Sequence, residues 1–374
     1  MTATSRLRVD GLTVRFHLPA ATVHAVTDAR FEVRRGECLA LVGESGCGKS
    51  VMAHALLGLL PGNAEVTGSA WLETGDGDPV DLVAAPEEVL ARTVRGRRIG
   101  LVPQSPATHL TPVRTARSQL EEALRELGNP ASADDLAARA GLRPADLDRY
   151  PHELSGGMAQ RVANALALAG DPWLILADEP TSGLDRPLVD ATMAELRRLA
   201  DDGRAVLLIT HDLRAAELVA DRVAVMYASR VVSVAPAAPF FAGPRHPYAA
   251  GLLDALPSRR FAAIPGRPPE LTRLPGGCAF LPRCDRASAA CENVPEPAVL
   301  PEPPAAGDAA AGNPGAGDPA AGDPAAGDPA AGPGASPAVS APAGRSPASR
   351  HDGQEVACHH PLDHPLELDR HAAR

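Results

Sequence analysis

The 374-residue sequence has one lysine, Lys49, among 36 basic residues; the other 35 are arginine. Aromatic residues are scarce at 3%, and no apolar run approaches the roughly 20 residues that a membrane-crossing helix needs. Without such a run the chain has no candidate span. Its opening residues, Met1-Thr2-Ala3-Thr4-Ser5-Arg6, lack the apolar core of a signal peptide, so the chain is expected to stay in the cytosol. The formal charge of -10 is offset by no basic stripe and no aromatic-interleaved basic patch, which argues against a nucleic-acid partner. Six cysteines with no export signal speak against a disulfide framework. What is present, 45% hydrophobic content over this length, is enough for one large domain with an appendage or for two domains.

The lone lysine sits in Gly43-Glu44-Ser45-Gly46-Cys47-Gly48-Lys49-Ser50, the G-x-x-x-x-G-K-S spacing of a phosphate-binding loop. Glycines at those positions let successive backbone N–H groups turn inward around an anion. A compact ammonium on a flexible stem then reaches the β and γ phosphates, which a forked guanidinium does less well. Cys38 to Val42 reads as a buried strand before the loop, and Ser50 to Leu60 has helical apolar spacing after it. The helix start directs its unpaired N–H groups at the anion, and the Ser50 hydroxyl is placed to ligate Mg2+. Cys38 and Cys47 read as packing or bystander residues. The competing reading is a glycine-rich turn with an incidental lysine.

Residues 1 to about 235 alternate strand-like and helix-like segments, the pattern of a three-layer α/β domain around a mostly parallel sheet. Leu7 to Glu37 alternates apolar residues and predicts antiparallel strands. Residues 104 to 155, rich in Ala, Leu, Glu and Arg, predict a small helical subdomain with helices over Gln119–Leu124 and Ser132–Ala140. Composition shifts at Pro236, giving an extension over 236–300. Residues 301–350 are dominated by Ala, Gly, Pro and Asp with a repeated AAGDP, which reads as a disordered insert, and 351–374 form a tail.

Three further segments carry chemistry. Leu174-Ile175-Leu176-Ala177-Asp178-Glu179 is an apolar strand ending in two carboxylates, suited to one acid positioning Mg2+ and another polarising water, or to capping a helix. Leu154-Ser155-Gly156-Gly157-Met158-Ala159-Gln160-Arg161 places small residues before a helix beginning near Met158, a second anion-binding edge. Cys278, Cys284, Cys291 and Cys358 supply four thiols, enough for a [4Fe-4S] cluster or a zinc ion, or else reduced cysteines in a structural tail. The long insert does not remove Cys358 from this set, because each doubling of loop length costs only about 0.6 kcal/mol. His351, His359, His360, His364 and His371 make the tail histidine-rich, either a weak metal site or solvent-exposed side chains.

With Ile209-Thr210-His211-Asp212 added, these motifs stand in the order and separation of the ATP-binding cassette ATPases, and the chain resembles that family. The resemblance implies a P-loop NTPase fold with an antiparallel β subdomain, a helical subdomain and a C-terminal cysteine-containing extension. It implies ATP and Mg2+ as ligands, with Lys49, Ser50 and Asp178 on the phosphates and metal and Glu179 polarising the attacking water. Gln104, in Val102-Pro103-Gln104-Ser105, becomes the residue that contacts Mg2+ and water and signals to membrane subunits; His211 becomes the switch histidine. Asp185 becomes an interface residue, and Phe16 is the nearest match to the adenine-stacking aromatic, or else a core strand residue. Ser155, Gly156 and Gly157 would serve nucleotide held by a second ATPase subunit.

Finer resemblance comes from Ile99 to Pro106 with Leu110-Thr111-Pro112, Tyr150-Pro151-His152-Glu153, His246-Pro247-Tyr248, Ile264 to Pro269, Gly277-Cys278-Ala279-Phe280 and Pro282-Arg283-Cys284. These look like the D-type ATPase of dipeptide, oligopeptide and nickel importers, and cover nearly all the chain except the insert. Such importers pair this subunit with a second ATPase, two membrane permeases and an external binding protein, at the cytoplasmic face of the membrane. Members of the family hold an iron-sulfur cluster on C-terminal cysteines, which favours the cluster here. Pro103 stands where an aromatic is usual, and Ser182-Gly183 where Thr-Ala is usual; neither removes a catalytic group. Nickel, opine and glutathione importers share the same chemistry. Non-transport relatives acting on ribosomes carry two cassettes per chain, whereas each motif occurs once here, and those acting on DNA carry coiled coils or basic surfaces absent here.

Overall fold

A computed structural model describes residues 5–73, 77–300 and 353–362. The expected disordered insert over 301–350 and His351, His364 and His371 lie outside the described residues.

The described chain opens with two long antiparallel strands, β1 (Ser5–His17) and β2 (Thr22–Arg34), paired from Ser5 with Arg34 to His17 with Thr22 through several shifts of register. β1 also pairs antiparallel with β4 (Ala64–Leu72), and β4 with β5 (Val80–Asp81), giving a four-stranded sheet in the order β2-β1-β4-β5. The alternation of apolar residues in this stretch fits a sheet with one buried face: Leu7, Val9, Leu12 and Val14 are all buried.

The second sheet has a parallel centre, β6 (Ile99–Val102), β7 (Leu174–Asp178), β8 (Ala205–Thr210), β3 (Cys38–Val42) and β9 (Arg222–Tyr227). These strands read as continuous apolar runs because both faces are covered. Successive side chains point to opposite faces. Cys38, Ala40 and Val42 therefore join one core with Ile175, Ala177, Val206 and Leu208, while Leu39 and Leu41 join the other with Leu174, Leu176, Leu207 and Ile209. The second core lies between the two sheets and includes Met52 and Leu56 of α1 (Lys49–Leu56). The first is closed by helices, completing three layers.

After two short helices, α2 (Glu87–Val89) and α3 (Pro106–His109), come α4 (Ala116–Leu127), α5 (Ala133–Arg139) and α6 (Gly156–Ala167). Thr115, Ser132 and Ser155 cap the last three by accepting from the N–H of Ser118, Asp135 and Met158. The Ser155 cap explains why α6 starts two residues before the expected Met158. α7 (Arg186–Asp201) and α8 (Leu213–Val219) cover the parallel strands.

The sheet continues past β9 through β10 (Arg230–Pro236), and its far edge is built by β12 (Gln354–Val356) and β11 (Ala298–Leu300), all antiparallel. Between them lie α9 (Ala237–Ala242) and α10 (Pro247–Asp254). The edge strands escaped the sequence reading because three residues are too few to show a period of two. Among the described residues no helix is long and apolar enough to cross a membrane.

Leu41 is fully buried in β3. Leu41→Ala should destabilise the chain by about 2–5 kcal/mol, read as a lowered urea midpoint with unchanged slope.

Candidate nucleotide-binding site

Parallel pairing brings the carboxyl ends of three strands together: Val42 lies opposite Thr210, and Asp178 opposite Ile209. Ligands of open α/β sheets bind at such ends. The 43–50 loop leaves β3 here and enters α1 with Gly48 at the N-cap position, where no side chain caps the free N–H groups. Gly48 has φ 110°, and a Cβ there would stand 2.0 Å from the Ala25 carbonyl oxygen; a Cβ on Gly43 would stand 2.1 Å from that of Met226. Glycine is thus required by close approach at both. At Gly46, with φ 81°, nothing lies within 4 Å, so only the backbone conformation asks for glycine.

Lys49 is buried, and its Nζ donates to the carbonyls of Gly43 at 2.8 Å and Glu44 at 3.1 Å. These are neutral acceptors, and a phosphate offers the ammonium a stronger, charge-assisted partner. Burial pushes the Cys47 thiol up, the ordinary behaviour of a packed cysteine. The Ser50 hydroxyl donates to Asp178 Oδ1 at 3.0 Å, so two hard oxygen donors converge where the loop meets β7, a pairing that fits Mg2+ shared with phosphates. Burial raises the Asp178 carboxyl above its ordinary range, against the pull of the Ser50 hydrogen bond.

Glu179 is buried and held at φ 47°, a left-handed backbone that costs a non-glycine residue about 1–3 kcal/mol. Its N–H donates to Ile209 O at 2.8 Å and its carbonyl accepts from Ser182 N–H at 3.0 Å, which hold the turn in place. Oε2 lies 2.8 Å from His211 Nδ1 but makes no directed hydrogen bond. The approach is an ion-pair contact when His211 is protonated. A buried carboxylate so placed is suited chemically to accept a proton from water. The exposed His211 follows β8, and Asp212 caps α8 by accepting from Arg214 and Ala215 N–H. Gln104 is exposed, two residues past the end of β6, the strand beside β7.

Other sequence-predicted residues lie elsewhere. Ser155 and Gly156 are exposed at the start of α6, and a Cβ on Gly157 would meet Leu188 of α7 at 2.7 Å. α6 packs on α3, α4, α5 and β6, whereas α1 packs on β1, β2 and β7. Asp185 is exposed and caps α7 by accepting from Leu188 N–H at 3.2 Å. Phe16 is half-buried near the end of β1, packed against the core between the sheets.

Cys278, Cys284, Cys291 and Cys358 are gathered: Cys278 N–H donates to Cys291 O at 2.9 Å, and the Cys358 thiol is pushed up to about 11 by burial first and by the other three thiols as well. They form no disulfide. Among the described residues, however, no group of three or more His, Cys, Asp or Glu side chains is disposed to hold a metal ion, so the expected [4Fe-4S] cluster gains no support beyond that proximity. His359 and His360 turn instead to Asn293 O, at 3.2 Å, and the Ser288 hydroxyl, at 2.6 Å.

The family profile described as ABC transporter matches residues 26–182, and that described as oligopeptide/dipeptide transporter, C-terminal region, matches 232–291. The Oligopeptide transport ATP-binding protein OppD of Salmonella typhimurium is 40% identical over 305 residues, 77% of this chain and 89% of that protein. A putative peptide import ATP-binding protein of Brucella ovis is 39% identical over 313 residues, 78% of this chain and 92% of that one. The chain belongs to the ABC transporter ATP-binding family. Among solved structures, the dimeric post-hydrolysis state of the ATP-binding cassette MJ0796 bound to ADP and Pi superposes with a TM-score of 0.53 at 26% identity, covering 62% of this chain and 98% of that one. The fold expected from the motifs is therefore borne out: this ABC ATPase binds and hydrolyses ATP.

Sequence reasoning missed one set of residues in this ABC ATPase. Tyr248 Oη accepts from Glu44 N–H at 3.0 Å, and Arg283 grips the Glu44 carboxylate, so the C-terminal region touches the phosphate loop directly. The motifs containing Tyr248 and Arg283 were legible; that they reach residue 44 depends on tertiary packing.

Gly48→Ala should abolish binding of a non-hydrolysable ATP analogue in equilibrium dialysis. Gly46→Ala, which meets open space and carries only the left-handed backbone cost of about 1–2 kcal/mol, should still bind.

Proposed function

We propose that this chain is the ATP-hydrolysing subunit that powers import of di- and oligopeptides through a multi-subunit transporter at the cytoplasmic face of the membrane. The observation that carries this is the pairing of an ATPase cassette with a C-terminal region matching the oligopeptide/dipeptide profile, in a chain 40% identical to proteins named for oligopeptide transport. Its partners are a second ATPase subunit, two membrane permeases and an external binding protein. Residues 1–235 form the ATPase unit and 236–300 the importer-type extension.

In this reading ATP lies between the 43–50 loop of this chain and the signature residues of the second ATPase, while Ser155, Gly156 and Gly157 face nucleotide held by that partner. The exposure of Ser155 and Gly156 and the separate packing of α1 and α6 support such a division. Phe16 lies against the adenine, and Asp185 and Gln104 act at the interfaces with the second ATPase and the permeases. Lys49 exchanges two backbone carbonyls for phosphate oxygens. Glu179 takes a proton from the attacking water, and His211 and Lys49 offset charge on the γ phosphate. Ser50, Asp178 and Gln104 would hold Mg2+, which would supply positive charge against the charge developing on the phosphates. Positioning supplies most of the acceleration.

Glu179→Gln should leave ATP-analogue binding intact and lower turnover in the assembled transporter by about a hundredfold or more, the scale of a lost general base. Near-normal hydrolysis by that variant would remove Glu179 from its role. Peptide-stimulated ATPase activity after co-purification with the membrane partners tests the transport reading. Stimulation by nickel or glutathione instead would move the substrate class and leave the ATPase assignment standing.

For the thiols, the reading of a [4Fe-4S] cluster rests on their gathering. Iron and sulfide in anaerobically purified protein, lost in Cys358→Ser, would support it; their absence assigns four reduced cysteines to a packing role.

A further inference from the structure

We propose that Arg283, from the C-terminal extension, is a positioning residue for the phosphate loop: through Glu44 it sets the backbone that receives ATP and neutralises a carboxylate that would otherwise face the phosphates. The proposal rests on ATP binding and is independent of what is transported.

Arg283 is nearly fully buried, with 3% of its side chain exposed. Its Nη1 and Nη2 meet the two Glu44 carboxylate oxygens at 2.8 and 3.2 Å, a bidentate pair. The remaining donors are fixed by other partners: Nε gives to Pro265 O at 2.7 Å, Nη2 also to Ile264 O at 3.4 Å, and Nη1 also to the Tyr227 hydroxyl at 3.3 Å. The guanidinium also lies over the rings of Tyr227 and Phe280. Those rings pack with Tyr248 at centroid distances of 4.4 to 5.5 Å, and two of the chain's three tyrosines are spent on this cluster. An arginine held on so many sides presents a fixed fork.

Glu44, the second residue of the loop, is held at both ends: its carboxylate by Arg283 and its N–H by the Tyr248 hydroxyl. Its carbonyl is one of the two that receive Lys49 Nζ. The extension thus reaches the ammonium in two steps, from Arg283 to Glu44 and from Glu44 to Lys49. The pair also settles an electrostatic problem. A carboxylate in a loop built to hold phosphates repels them unless a cation answers it, and Arg283 is the cation that meets it.

The sign of the effect distinguishes this role from general support of the fold. Binding of a non-hydrolysable ATP analogue to the purified full chain is the measurement, with thermal unfolding of each variant alongside. Arg283→Gln leaves Glu44 uncompensated and should weaken binding about tenfold, within the coupling expected between groups in one charge network. Adding Glu44→Gln removes the repelling charge, so the double variant should regain most of that loss. Arg283→Lys keeps the charge and loses the fork, so it should bind between the wild type and Arg283→Gln. Wild-type affinity in a folded Arg283→Gln, or a double variant no better than the single one, overturns the proposal. If Arg283→Gln does not fold, Arg283→Lys decides: weaker binding at unchanged unfolding temperature supports it, and wild-type binding overturns it.

Discussion

The phosphate loop lies so close to β9 and to the start of the antiparallel sheet that Gly43 and Gly48 have no room for a Cβ. That closeness is the constraint from which the rest of the site follows. It accompanies a loop in which Lys49 folds back onto the carbonyls of Gly43 and Glu44. It also fixes where the loop ends, so that Ser50 meets Asp178 on the strand two places away in the sheet. The parallel register then needs no further device to bring Glu179 and His211 together, because each follows the end of its own strand.

Two forms of restraint divide the site. Around Glu179 the restraint is backbone: it keeps a left-handed conformation with its N–H donating to Ile209 O of β8 and its carbonyl accepting from Ser182 N–H. The binding side is held by side chains from a distant part of the sequence, Tyr248 and Arg283. Backbone restraint suits a residue whose single oxygen must stay aimed, whereas a side-chain clamp suits a loop that exchanges partners when an anion arrives. Three of the chain's eleven aromatic residues, Tyr227, Tyr248 and Phe280, pack together behind that clamp.

The parts that were legible in sequence are those with strong local signals. Continuous apolar runs marked the buried parallel strands, alternation marked β1 and β2, and the spacing of Gly43, Gly48, Lys49 and Ser50 marked the loop. Cap residues such as Ser155 and Asp185 carried a double meaning: each caps a helix here, and the same exposed position is what an interface residue would need. Contacts of high sequence separation were not legible. Nothing local ties Arg283 to Glu44, 239 residues away, or tells that Gln354 to Val356 would pair with both Ala298 to Leu300 and β10.

That last pairing has a consequence for how the chain tolerates change. β11 and β12 lie side by side at the sheet edge, with Leu300 opposite Gln354, and Gly353 fits where a Cβ would stand 2.5 Å from the Leu300 carbonyl oxygen. The two ends of the intervening segment are therefore stapled at one point. A longer or shorter segment between ends held this close adds little to the cost of closing it, about 0.6 kcal/mol for each doubling. The Ala-Gly-Pro-Asp repeat lies between these two paired strands in the sequence, so a change in the number of its units leaves both partners of that pairing in the chain.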